Sequence, residues 1–90
     1  MYAVVGNVTI HDFDRGLPAL SDEVLPRVRA TPGLVSAYWL RSEDNRGMSM
    51  IVLESKDAAQ ALARRIEAEG SPTDAVTLDS IDVREVVAHA

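Results

Sequence analysis

Thr31-Pro32-Gly33-Leu34-Val35-Ser36-Ala37-Tyr38-Trp39-Leu40-Arg41, followed by Ser42-Glu43-Asp44-Asn45-Arg46-Gly47 and Met48-Ser49-Met50-Ile51-Val52-Leu53, decides the fold of this chain. Pro32-Gly33 stops whatever precedes it, because a proline disfavours helix at the residue before it. Leu34 to Arg41 alternates Leu34, Ser36, Tyr38 and Leu40 against Val35, Ala37, Trp39 and Arg41. Both lines are largely apolar, as in a strand covered on both faces. Asn45-Arg46-Gly47 tolerates left-handed backbone, and the short spacing makes Met48 to Leu53 the antiparallel partner of the preceding strand. Ser55 then caps a helix with Asp57 in its first turn, and Gly70 ends it. Ala59, Leu62, Ala63 and Ile66 fall within roughly a 60 degree stripe, whose alanines let the helix lie close to a sheet, while Arg64 and Glu67 point to water.

Upstream, Tyr2 to His11 is rich in β-branched residues and reads as a first strand rather than a signal peptide, so a cytoplasmic location is expected. Its line Tyr2, Val4, Gly6, Val8, Ile10 suits a helix layer. The other line, Ala3, Val5, Asn7, Thr9, His11, turns polar toward its end and suits a cavity wall. Leu17, Leu20, Val24 and Val28 recur at helical spacing, with Asp14 read as the N-cap. Pro26 in the interior predicts a kink near Asp22 to Pro26, and the helix must end before Pro32. Beyond the Gly70-Ser71-Pro72 loop, Val76 to Leu78 reads as a short strand and Ile81 to Ala88 as the last one.

The 90 residues form a single domain, residues 1–90, with 47% apolar and 26% charged residues, an ordinary globular composition. The absence of cysteine excludes disulfides, thiolate metal sites and a Cys nucleophile. Two histidines, His11 and His89, are too few for a three-histidine metal centre, so no metal is expected. A net charge of −5 with scattered arginines offers no stripe for phosphates, which argues against nucleic acid, and nothing argues for a membrane. Lys56, the one lysine, stands at a helix start and is not read as a Schiff-base residue.

Strand, helix, strand, strand, helix, strand is the split βαβ order. It predicts an α+β, ferredoxin-like βαββαβ domain: a four-stranded antiparallel sheet with two helices on one face and the first and third strands central. The helices cover one face only, yet every strand offers apolar side chains to the other: Val5, Val35 or Tyr38, Trp39, Ile51 or Met50, and Val83 or Val86. A second copy packing sheet to sheet would cover that patch and form a dimeric α/β barrel, with a cavity expected between the sheets.

The runs Pro32-Gly33-Leu34-Val35-Ser36-Ala37-Tyr38-Trp39-Leu40, Asn45-Arg46-Gly47 and Val52-Leu53-Glu54-Ser55-Lys56-Asp57-Ala58-Ala59 resemble the antibiotic-biosynthesis-monooxygenase-like branch of the dimeric α/β-barrel superfamily. The resemblance implies a homodimer joined through the sheet face, with cavities for flat hydrophobic molecules. In some members it implies cofactor-independent oxygenation of polycyclic phenols by O₂, so no cofactor is expected. It also implies catalytic roles for Asn7, His11 and Trp39, and ligand contacts from Tyr38, Arg41, Val5 and Ile51. Asn7 matches an asparagine that haem-degrading relatives use near the iron, but the helix from Lys56 to Glu69 has no histidine to ligate haem.

Each of these residues has a plainer reading. Asn7 can be a hydrogen-bonded strand residue, His11 a surface residue at a strand end, Trp39 an interface anchor and Arg41 a solvated charge. Tyr38 and Trp39 point opposite ways, so one of them faces the cavity. Two functions follow: a small oxygenase-like enzyme acting on an aromatic molecule, and a non-catalytic homodimeric module that binds a small hydrophobic ligand. An amino-acid-binding regulatory domain on the same strand and helix order is a weaker third reading.

Overall fold

The computed structural model describes residues 1–71 and 73–90. Strand β1 (Tyr2–Ile10) leads into α1 (Phe13–Ala19), a π-helical turn (Leu20–Val24) and α2 (Leu25–Arg29). Then come β2 (Leu34–Arg41), β3 (Arg46–Leu53), α3 (Lys56–Glu69) and β4 (Val76–Glu85). The sheet order is β2-β3-β1-β4 with every pairing antiparallel, so the first and third strands are central, as the order of elements predicts. Of the expected Gly70-Ser71-Pro72 loop, Pro72 lies outside the described residues.

Two ends differ from the sequence reading. Asp12, not Asp14, caps the first helix: it has extended backbone and its carboxylate accepts from the Arg15 amide at 3.3 Å. Asp14 stands inside the first turn, where its charge favours the helix dipole. β4 is one strand rather than two, ending at Glu85. Its register with β1 shifts between Asn7 and Val8, where Ser80 and Leu78 are the successive partners and Asp79 is the extra residue. Thr9 donates to the Asp79 carboxylate at 2.7 Å, which holds the extra residue in the bulge.

The expected kink takes the form of a wide turn. The Leu25 amide donates to the Leu20 carbonyl five residues back, just before Pro26. Proline has no N–H and its ring would collide with the carbonyl four residues earlier, and the widened turn moves that carbonyl away. The hairpin is closed by Asn45 at φ 63 and by the Ser42 amide, which donates to the Arg46 carbonyl at 2.9 Å. The Ser42 hydroxyl donates to the Asp44 carboxylate and is the main reason that this carboxyl titrates below its ordinary range.

Val28, Ala59, Leu62 and Ala63 from the helices meet Val4, Ile51 and Leu53 from the central strands in one core, on the face to which Tyr2, Val4, Gly6, Val8 and Ile10 point. Leu53 and Val4 are fully buried. The helix that carries the alanine stripe is fixed by Ser55, whose hydroxyl accepts from the Ala58 amide at 3.1 Å, and by Gly70 at φ 69. Ser55→Ala removes that cap and is expected to cost about 1 kcal/mol, lowering the melting temperature by about 4–8 °C. A thermal melt that does not move would show that the helix is held by packing alone.

Candidate functional site

On the helix face, paired residues form rows across the sheet, and the row that matters is Ile81, Gly6, Ser49 and Trp39. Gly6 is there for space: a Cβ on it would stand 2.8 Å from Ser49 Oγ and 3.1 Å from Ile81 Cδ1. In the next row Gly47 does the same, since a Cβ would come within 2.8 Å of Val8 Cγ2. Ser49 and Ile81 therefore close over the bare backbone of Gly6, and Val8 over that of Gly47. Above the sheet, α1 has no buried residue, and Phe13 and Leu17 remain 37% and 46% exposed. The first helical stretch closes onto the core at Val28 and, less fully, at Val24, leaving room beneath its earlier turns.

That room is a cavity of about 400 Å³. Val8, Trp39, Ile51 and Ile81 line its floor, Phe13, Leu17, Leu20 and Val24 its roof, and Leu62 and Ile66 its side. Its size and apolar walls suit a small flat molecule. The serine hydroxyl makes no side-chain hydrogen bond among the described residues and is free to turn toward a ligand.

Four charged side chains complete the lining: Arg27, Arg41, Arg65 and Glu69. Arg41 lies over the Phe13 ring with its guanidinium carbon 3.7 Å from the centroid. Arg27 pairs with Glu69 at 3.3 Å, and Arg65 donates to the Thr31 hydroxyl at 3.3 Å, so these two join α2 and its end to α3.

Of the residues picked out by sequence, Trp39, Arg41 and Ile51 meet in this cavity. Asn7, His11, Val5 and Tyr38 lie on the opposite face of the sheet, as their alternation requires. Within one chain the cavity lies between sheet and helices; a cavity wall on the outer face, which needs a second copy, remains an expectation about the pair. Asn7 donates to the Ser80 hydroxyl at 3.1 Å, and His11 Nε2 lies 2.7 Å from the Thr77 hydroxyl. Together with Thr9 and Asp79 they form a polar ladder between β1 and β4. Asn7 also borders a shallow hollow with Leu40, Arg46 and Met48. Val5 is half-buried in the middle of its strand, and Tyr38 is 55% exposed.

Sequence reasoning missed Ser49, Arg65 and the apolar roof of the first helix. The signal for the roof lies in Leu17, Leu20 and Val24, whose helical spacing marks an apolar side, and in Phe13 just before them. Among the described residues no group of three or more His, Cys, Asp or Glu side chains is placed to hold a metal ion, and no helix is long and apolar enough to cross a membrane.

Neither a family model nor a curated protein matches the sequence. Solved structures do. A mutant of SnoaB, a cofactor-independent oxygenase from Streptomyces nogalater, superposes with a TM-score of 0.65 at 15% identity, covering 98% of this chain and 94% of that one. A dimeric ferredoxin-like protein from an uncultured marine organism gives 0.63 at 16% identity, covering 100% and 98%. The monooxygenase from the gene ActVA-Orf6 of Streptomyces coelicolor, in complex with Nanaomycin D, gives 0.54 at 14% identity, covering 99% and 92%. The chain thus has a ferredoxin-like α+β fold, which it shares with these structures and which the order of its elements predicts. At these identities the match establishes the fold.

Proposed function

We propose that the protein is a homodimeric, cofactor-independent oxygenase that takes a flat aromatic molecule into the cavity between its helices and its sheet. The observation that carries this reading is Trp39: the chain's single tryptophan lies on the wall of an apolar cavity that also holds an uncommitted hydroxyl, Ser49. The oxygenase named on SnoaB's structure and the monooxygenase bound to Nanaomycin D share the fold and support the reading.

The chemistry needs little from the chain. An anthrone-like phenol, once ionised, can pass electrons to O₂ itself; one O₂ is consumed, the ring methylene becomes a carbonyl and the second oxygen leaves as water. The protein excludes water, stacks the rings against Trp39 and offers the Ser49 hydroxyl to the substrate oxygen. Ile51 forms the wall beside them. Asn7 and His11 hold β1 to β4 in this proposal, and Tyr38 and Val5 belong to the dimer face. The neighbour that is a dimeric ferredoxin-like protein supports the pairing of two copies, as do the bare apolar side chains of that face.

A second reading, a module that binds a ligand without transforming it, is favoured by one observation. Among the described residues no histidine lines the cavity, and its one carboxylate, Glu69, is engaged by Arg27. Oxygen uptake with a panel of anthrones and quinols separates the two. The oxygenase reading expects turnover in the wild type, a fall in kcat/KM of roughly tenfold or more in Trp39→Ala from lost stacking, and little change in Asn7→Ala. No uptake with any member of the panel would leave the binding module.

A further inference from the structure

The charge inside the cavity runs against the charge of the chain. The whole protein carries −5, yet the four ionisable side chains on the cavity wall are three arginines and one glutamate, a local balance of +2. Glu69 is taken by Arg27, which leaves Arg41 and Arg65 without a carboxylate partner among the described residues. Arg41 presents the face of its guanidinium to Phe13, so its in-plane N–H donors remain available, and Arg65 donates to the neutral Thr31 hydroxyl. Elsewhere Arg15 pairs with Asp74, Arg46 with Asp44 and Arg84 with Asp82, while Arg29 and Arg64 have no carboxylate partner among the described residues.

All four ionisable side chains of the cavity are exposed, at its rim, so their pull on a bound charge is felt at low salt and is largely screened at high salt. We infer that the cavity selects an anionic aromatic ligand, with the ring system held by the apolar walls and a carboxylate, sulfonate or ionised phenol met at the rim by Arg41 or Arg65. This rests on the reading of the cavity as a ligand site and names the class of ligand it takes. The positive balance also opposes protonation of a weakly acidic ligand, so a phenol would bind better ionised than neutral.

Two dyes with one ring skeleton test the point: anilinonaphthalene sulfonate, which is anionic, and N-phenylnaphthylamine, which is neutral. Each is titrated against the full chain at low and at high salt and followed by quenching of Trp39. The anionic dye is expected to bind about tenfold tighter at low salt and to lose most of that margin at high salt. Arg41→Gln and Arg65→Gln should each reduce binding of the sulfonate severalfold with the neutral dye unchanged, and Arg41→Lys should restore most of the preference. Arg84→Gln, on the opposite face, should leave both dyes alone.

Equal affinity for the two dyes, or equal losses for both in the arginine variants, would overturn the inference while leaving the cavity as a binding site. Loss of sulfonate binding in Arg84→Gln but not in Arg41→Gln would overturn it by placing the dye on the outer face. Failure of both dyes to quench Trp39 would instead remove the cavity reading itself. Oxygen uptake does not enter the test, so a protein that binds without turnover still answers it. A melt of each variant keeps a folding defect from passing as lost binding.

Discussion

Leu53→Ala is expected to destabilise the fold by about 3–5 kcal/mol. Leu53 is fully buried at the end of β3, where it meets Val28 from one helix and the Ala59, Leu62 and Ala63 stripe from the other. Removing three carbons there costs transfer free energy and leaves a hole that a fixed sheet and a capped helix cannot close. A chain of this length has roughly 5–13 kcal/mol to lose, at about 0.05–0.15 kcal/mol per residue, so the variant should stand near unfolding. Urea denaturation at one fixed protein concentration checks this, since association adds to apparent stability. The midpoint should fall with the slope unchanged. Leu17→Ala is the counterpart. That leucine faces the cavity and is half exposed, so its loss should cost below about 1 kcal/mol while enlarging the roof space. A large loss at Leu17 with a small one at Leu53 would mean that the first helix closes onto the sheet and that the cavity is not there.

The second large effect concerns the outer face. Val5, Met50 and Tyr38 form one row across β1, β3 and β2 on the side that the helices do not reach, with Leu40 and Met48 in the next. Tyr38 and Leu40 are more than half exposed in the single chain, at 55% and 52%. On β4 the same face is polar, with Ser80, Asp82 and Arg84, so the apolar patch covers about three strands of the four. Met50→Asp together with Tyr38→Asp places two charges in the middle of the proposed contact, and each unpaired charge buried there would cost several kcal/mol. Sedimentation should therefore report twice the 9.8 kDa chain mass for the wild type and the single chain mass for the variant. The neutral dye should still bind the variant within a few-fold, because the cavity belongs to one chain. A wild type that sediments as a single chain at micromolar concentration would contradict the dimer. Dye binding lost together with the dimer would move the ligand to the contact between the sheets.

The order of elements was legible because each element carries its own local signal. The hairpin has Asn45 and Gly47, the long helix has Ser55 and Gly70, and β1 separates a helix line from an outer line by alternation alone. What alternation cannot supply is which line of a later strand shares a face with which line of the first. Trp39 and Tyr38 must point opposite ways, but Trp39 joins the helix face only through Ser49 and Gly6, a register fixed by long-range pairing. The cavity was illegible for a related reason. An amphipathic stretch such as Leu17, Leu20, Val24 and Val28 shows which side of a helix is apolar and not how far that side stands from its sheet. Here the stretch reaches the core only toward its end, at Val24 and Val28, and nothing in its spacing marks the gap beneath Phe13 and Leu17. The continuity of β4 was illegible likewise, because Asp79 sits in a bulge that only its pairing with β1 and its bond to Thr9 reveal.

The most direct test of the cavity is a crystal structure of the protein with a flat anthraquinone carboxylate. The ring system is expected between the first helix and the sheet, against Trp39 and beside Ser49, with its carboxylate at Arg41. A ring system seated instead on the outer face beside Asn7 and Tyr38, with Trp39 untouched, would contradict the account.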